Sequence, residues 1–388
     1  MSSRIDITNR KNIVVNTEVD FSDYVFEVDV FNIANPFDLT LSNLADVEPR
    51  DVEQWYGISF FVDNKIVYKG VIQRRSLTGE KGRSEVKISG KNRASILVES
   101  YCTNYKDFKN TKPIDIIDKL IQQTNFYAQP VSNAQIAASI SEWTTEDDIE
   151  SFNESIKDSI KDNKAFTGVG DVTIPSQDFS ALGNKKNFKI EPGDIVFKKI
   201  TSLVRSVGFD VMYQPDGTLF FGDISKKRLA DTPQIKYRLY LSEDGDLTNN
   251  VLSWDVSNDT SGLYSEVTVV SQSQNGTNKS STATDSTVLD KKAQVVQMND
   301  EDSSVEKEAV RIREDNRIAS FNARYTVSGH TDSTGEVFLS NKTVIVNDSL
   351  NNVIGEFVLY NVTYSFSRQE GFTTDLNLSY ARRKGINV

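Results

Sequence analysis

Phe21-Ser-Asp-Tyr-Val-Phe-Glu-Val-Asp-Val-Phe31 places apolar side chains at 24, 26, 28 and 30, with polar ones between most of them. That two-residue period predicts a strand with one buried face. The stretches that follow continue the pattern. Ile58-Ser-Phe-Phe-Val62, a polar Asp63-Asn64-Lys65 and then Ile66-Val-Tyr68 predict strand, tight turn, strand. Gly70-Val-Ile-Gln leads into Ser84-Glu-Val-Lys-Ile-Ser89, where Val86 and Ile88 share a face. Short strands joined by regular turns predict a small antiparallel barrel or sandwich over the first hundred residues.

Near residue 105 the period changes. Lys112-Pro113 opens a helix, because proline in the first turn forfeits no needed N–H. Ile114, Ile117, Leu120 and Ile121 form its apolar stripe. A second helix is predicted from Thr145 to Asp162, with Ile149, Phe152, Ile156 and Ile160 on one face and acidic residues at its start. A third runs from Pro192 to Val207 on Val196, Ile200, Leu203 and Val207, with Gly208 as its cap. Phe209–Tyr213, Pro215-Asp-Gly217 and Thr218–Phe221 predict a hairpin. The chain then returns to β, with alternation from Leu263 to Val270. Ser271–Ser304, rich in Ser, Thr, Asn, Gln and Asp, reads as a long loop or weak-cored excursion. A helix follows on Val305, Ala309, Ile312 and Ala319, with Ser303 and Glu306 as a capping box. Strands at Thr343–Val346, Phe357–Phe366 and Asp375–Tyr380 finish the chain.

The two β ends echo each other. At a shift of 290 residues, Val86-Lys-Ile-Ser89 falls on Leu376-Asn-Leu-Ser379, Ile72 on Val362 and Arg93 on Arg383. Any two hairpins share such features, so two readings stay open: a chance likeness, or a duplicated barrel at each end.

Composition excludes much chemistry. The 388 residues carry 44 Lys+Arg and 55 Asp+Glu, a formal charge of −11, with one His and one Cys. One cysteine makes no intrachain disulfide or CxxC site. One histidine makes no His-rich zinc site, and no hard-cation spacing of carboxylates is present. The negative charge argues against a nucleic-acid binder, which needs a basic surface. No apolar run approaches the ~18 residues of a membrane helix. The first residues, MSSRIDITNR, show no signal-peptide core.

Each remaining candidate has a plain structural explanation. His330, in Ser328-Gly-His-Thr-Asp-Ser333, could act as a base oriented by Asp332, but it reads as a surface turn histidine without a nucleophile elbow. Cys102 reads as a half-buried structural thiol. The acidic run Glu142–Glu154 fits a solvated helix face better than a cation site or a glycosidase pair. Gly168-Val-Gly-Asp171 lacks the glycine pattern and Lys-Ser/Thr ending of a phosphate loop. The sequons at Asn275 and Asn278 follow from an Asn/Ser/Thr-rich stretch. Ala381-Arg-Arg-Lys-Gly385 is a basic cluster that is either a dock for an acidic partner or a solvated tail. No catalytic, cofactor-binding or metal-binding set emerges, and the residues by themselves describe an acidic, multidomain, β-rich protein that is not an enzyme.

Several stretches, in order, resemble a known family. They are Val71-Ile-Gln with Glu85-Val-Lys-Ile-Ser-Gly-Lys-Asn-Arg93 and Ala94-Ser-Ile-Leu-Val98; Phe188-Lys-Ile-Glu-Pro-Gly-Asp-Ile-Val-Phe197 through Gly208-Phe-Asp-Val and Asp216-Gly-Thr-Leu-Phe220; Glu266-Val-Thr-Val-Val-Ser-Gln272; and Leu359-Tyr-Asn-Val-Thr-Tyr-Ser-Phe with Gly371-Phe-Thr-Thr-Asp-Leu-Asn-Leu. Each motif is loose, but together they span most of the chain. The chain resembles phage tail baseplate hub proteins of the Mu-like and P2-like late-control D group, related in structure to the T4-type hub. The segment near 130–183 matches worst and looks expanded.

The resemblance implies an α+β, mainly β fold, with two similar antiparallel β-barrel modules flanking a mixed α/β middle. Residues 1–105 would form the first barrel and 106–225 the middle, containing the expanded segment. Residues 226–388 would form the second barrel, with a polar excursion and helix near 271–328. The implied function is a homotrimeric ring that joins a sixfold tail tube to a threefold central spike. Implied partners are other copies of the chain, the tail tube protein, the central spike protein and other baseplate proteins, with no membrane and no specific nucleic acid. Implied location is the virion tail baseplate, assembled in the bacterial host cytoplasm. An acidic lumen, suggested by the charge of −11, would limit sticking to DNA passing through. Two other classes are a virion adhesin or carbohydrate binder, which would cluster Trp and Tyr where Trp55, Trp143 and Trp254 are scattered, and a tail-associated cell-wall hydrolase, which would need a catalytic acid in a cleft.

Overall fold

The computed structural model describes residues 2–8, 14–16, 21–41, 52–80, 83–103, 107–124, 172–173, 185–206, 210–215, 217, 219–222, 236–241, 251–271, 279–298 and 304–382. The helix expected at 145–162, the acidic run, the glycine loop at 168–171 and the sequon asparagines lie outside the described residues.

The fold is mainly β, as expected. The first strands are β1 (Ser3–Thr8), β2 (Val14–Asn16), β3 (Phe21–Asp29), β4 (Pro36–Leu41), β5 (Gly57–Val62), β6 (Lys65–Glu80) and β7 (Arg83–Asn92). The alternation in β3 buries Tyr24, Phe26 and Val28. Asp63 and Asn64 both take positive φ, 44° and 63°. That is the backbone twist a two-residue hairpin loop needs between β5 and β6.

Helix α1 (Ser95–Glu99), β8 (Asp107–Thr111), α2 (Pro113–Gln122), β9 (Val172–Thr173), β10 (Lys185–Lys189), α3 (Val196–Ser206), β11 (Asp210–Tyr213) and β12 (Leu219–Gly222) make the middle. Proline indeed opens α2; the expected Ile114 is only partly buried, and Ile116, Ile117, Leu120 and Ile121 are its buried stripe. They pack with Val196, Ile200, Leu203 and Val204 of α3 and with Val211, Leu219 and Phe221 of the predicted hairpin, in a core of their own.

The last part holds β13 (Lys236–Leu241), β14 (Val251–Asn258), β15 (Glu266–Ser271), β16 (Lys279–Thr284), β17 (Ala293–Met298), α4 (Val305–Ala319), β18 (Phe321–Ser328), β19 (Lys342–Asp348), β20 (Val353–Ser367) and β21 (Gly371–Ser379). The polar stretch expected as a loop contributes two strands. β15 lies between β16, antiparallel, and β17, parallel. Helix α4 covers this small sheet through Val305 and Ala309 on Val269 and Ala283. Only one face is buried, so Ser and Thr fill the other, and the Thr268 and Thr282 hydroxyls bond across it at 2.8 Å. The cap of α4 is Ser304, which accepts from the Lys307 N–H, one residue beyond the expected Ser303.

The two β ends share one topology. The first runs β3-β4-β7-β6-β5-β1 and the second β14-β18-β21-β20-β19-β13. In chain order the two sets correspond strand for strand, with β15–β17 and α4 inserted between β14 and β18. Two of the bulges recur, which matters because a bulge is a specific feature of a strand pair. One pair falls at Phe21/Asp23 in β3 and Val251/Ser253 in β14. The other falls at Ile72/Arg74 in β6 and Leu359/Asn361 in β20. The sequence shift of 290 is therefore corrected. The bulges set β3 to β14 at 230 and β6 to β20 at 287. Apart from the insertion, the copies differ in their outer strands: β1 is antiparallel to β5, whereas β13 is parallel to β19, and the bulge at Phe60/Phe61 between β5 and β6 has no counterpart in the β19–β20 ladder.

The modules also merge. The second half of β20 pairs with β3, from Asn361↔Asp29 to Ser367↔Asp23, making one 13-stranded sheet. Among the described residues neither module closes as a barrel on itself. One core serves both ends, with Phe26 stacked on Phe60 at 4.5 Å and Phe60 edge-on to Tyr364. Gly90 marks a tight crossing: a Cβ there would lie 2.0 Å from the Val71 carbonyl oxygen and 2.8 Å from the Phe37 ring. Gly90→Ala is expected to lower the unfolding free energy by about 1–3 kcal/mol through this overpacking, measured by chemical denaturation.

Candidate functional site

The sole histidine is not on the surface. His330 is 0% exposed. Its neighbours do follow a turn, with Gly329 at φ 79°, but the turn folds inward over the seam between the modules. The ring lies against Tyr24, Phe60, Tyr364 and Phe372. Nε2 is 2.7 Å from the Tyr24 hydroxyl and Nδ1 is 2.7 Å from the Thr374 hydroxyl. Thr374 donates its proton to the Gly329 carbonyl. That geometry assigns the ring proton to Nδ1, which donates to Thr374, while Nε2 accepts from Tyr24. Burial pushes the imidazole pKa down to about 4. Asp332 does not orient the ring; it holds its own turn by accepting from the Thr334 and Glu336 N–H groups.

Cys102 is buried in the middle-domain core, whereas His330 belongs to the shared β core. Burial raises the thiol pKa, so the side chain stays a neutral packing group. The thiol and the imidazole thus sit in different cores. No group of three or more His, Cys, Asp or Glu suited to a metal occurs among the described residues. No described helix is long and apolar enough to cross a membrane.

The basic cluster after β21 divides. Arg382 is neither a solvated tail nor a dock: its guanidinium is buried between Asp210 of β11 and Asp315 of α4, the latter at 2.6 Å. Arg311 extends the chain of charges, at 2.5 Å to both Asp315 and Glu308. The network ties the middle domain, the inserted helix and the end of the second module together. Arg383, Lys384 and Gly385 lie outside the described residues.

What the surface does offer is open sheet edge. Among the described residues β14 ends the strand path and has no strand partner on its outer side past Val251; its side chains are mostly exposed, including Leu252 (58%) and Trp254 (44%). β6 pairs with β5 only through Val71, and the backbone of Ile72 still bonds Trp55 and Tyr56. Beyond Ile72 the edge of β6 away from β7 has no strand partner among the described residues. Leu77 there is 53% exposed. It borders an open depression with Arg75, Glu53 and Gln54. Unpaired edges with large apolar side chains are pairing surfaces. Sequence reading missed these residues; the alternation of Trp254 and Val256 was the available signal.

This fold is that of phage tail proteins. Similar solved structures include a tail protein from Neisseria meningitidis MC58, at 22% identity and a TM-score of 0.68, covering 98% of this chain and 97% of that one. The 43 kDa tail protein of prophage MuSo2 from Shewanella oneidensis aligns at 16% identity and a TM-score of 0.69, over 98% of both chains. A component of the Escherichia coli type VI secretion system, described as structurally similar to T4 bacteriophage tail proteins gp27 and gp5, aligns at 12% identity and a TM-score of 0.51, over 95% of this chain and 76% of that one. No protein-family model matches the sequence, and no curated protein matches it. The structural neighbours are thus of the kind that the resemblance to baseplate hubs led one to expect.

Proposed function

We propose that this protein is a non-enzymatic structural component of a phage or phage-like tail, a baseplate hub that forms a homotrimeric ring. In that ring two equivalent modules per chain present six similar units to a sixfold tail tube. The single-copy elements, namely the middle domain of 106–225 and the inserted sheet with α4, keep threefold symmetry toward a central spike. The observation that supports this most is the duplicated topology with its duplicated bulges. Three chains with two equivalent modules reconcile the two symmetries. The likeness to tail proteins over 98% of the chain points the same way. The tail tube protein, the spike protein and other baseplate proteins are the proposed partners, and the virion tail is the proposed location.

Light scattering on the purified protein tests the stoichiometry. The expected mass is about 130 kDa, three times the 43.5 kDa chain. A mass of one chain at every concentration overturns the proposal.

A further inference from the structure

We propose that the outer edge of β14 in one protomer adds, antiparallel, to the free half of β6 in a second copy of this chain, with Leu77 opposite Val256. This rests on the ring reading and supplies its contact. The argument starts from the junction inside the chain, where β20 meets β3 over seven residue pairs. By the duplication, β20 corresponds to β6 and β3 to β14. The counterparts of the two joined edges are therefore the two edges that have no strand partner among the described residues, one on β6 and one on β14.

The register follows from the ladders. Phe21 pairs with Leu41, Leu41 with Val86, and Val86 with Leu77. In the second module Val251 pairs with Val327, Val327 with Thr374, and Thr374 with Tyr364. Leu77 thus stands where Tyr364 stands. Tyr364 faces Phe26 across the internal junction, and Phe26 corresponds to Val256 at the offset of 230 set by the bulges. The same register sets Gly79 opposite Trp254, Arg75 opposite Asn258 and Arg74 opposite Asp259.

These pairs are complementary. A large exposed indole meets a glycine, and covering a strand glycine with a cross-strand aromatic is a stabilising arrangement. An arginine meets an aspartate. Inside the chain the corresponding pair is Asn361 and Asp29, and the Asn361 amide donates to the Asp29 carboxylate at 3.2 Å. The two aspartates are equivalent in detail: Asp29 accepts from the N–H two residues on, at Phe31, and Asp259 does the same at Ser261. The contact is heterologous, one edge on each of two different surfaces, so it builds a closed ring or an open array and not a twofold dimer.

The test pairs light scattering with thiol cross-linking by a short bifunctional maleimide. Leu77→Cys and Val256→Cys are combined in one chain, leaving the buried Cys102 in place. The expected result is a trimeric mass and covalently joined chains up to trimer on a denaturing gel, absent in either single variant. A control combining Val256→Cys with Leu289→Cys, at a fully exposed position outside that register, is expected to stay unlinked. Trp254→Asp is expected to weaken association roughly tenfold or more, read from the concentration dependence of the scattered mass. A trimer without the link, or with equal linking in the control, overturns this contact and leaves the ring standing. A monomer overturns both.

Discussion

Arg382→Met is expected to lower the unfolding free energy by about 3–5 kcal/mol, the cost of leaving a buried charge without its partner. Asp210 is the group left behind, for its side chain is only 8% exposed. Asp315 is more open and keeps Arg311. In the intact protein the two carboxylates hold the Arg382 guanidinium firmly protonated against the opposing effect of burial. The loss should appear as a lower denaturant midpoint. Adding Asp210→Asn in the same background should recover at least roughly 1 kcal/mol, since the amide removes the stranded charge. A loss below about 1 kcal/mol for Arg382→Met would mean that water replaces the guanidinium and that the network is not buried. Because the network joins three parts of the chain, its loss should also loosen α4 and the middle domain, readable as faster amide exchange there.

The second large effect is acid destabilisation through His330. Its folded pKa, about 4, lies below the ordinary 6.5. The unfolded chain therefore binds the proton more readily, and stability rises with pH across this window. The contribution is fully present above pH 6.5 and is lost as pH falls toward 4. Between pH 7 and pH 4 the loss is about 3 kcal/mol, from roughly 1.4 kcal/mol per pKa unit. Asp315, whose pKa burial raises, acts with the opposite sign, as a group neutralised more easily in the folded state. His330→Gln isolates the imidazole, because it removes this titration and leaves Asp315 untouched. The wild-type protein should lose about 3 kcal/mol more than His330→Gln over that interval. Equal losses would show that the ring reaches water or keeps its proton in the folded state.

Much of this fold was legible in the sequence, for specific reasons. β3 and the β5–β6 hairpin declared themselves because one face is buried and the turn residues tolerate positive φ. Pro113 and the apolar spacing fixed α2. β16 stayed hidden because a single buried alanine, Ala283, anchors it and Ser and Thr fill the rest. The duplication was visible only as an echo, misplaced by two or three residues. What the two halves share is strand order and bulge position, which do not require the same side chains. His330 read as a surface residue since Gly, Thr, Asp and Ser surround it; only the tertiary seam at Tyr24 and Thr374 explains its burial. The free edges were the least legible of all, since an unpaired edge is a property of the sheet and not of any one strand.

Electron microscopy of the purified protein, viewed down its axis, tests the central claim most directly. A ring built from six similar β modules in three chains, with threefold features at its other end, is the predicted result. Single chains, open filaments or a ring with any other number of chains would contradict it.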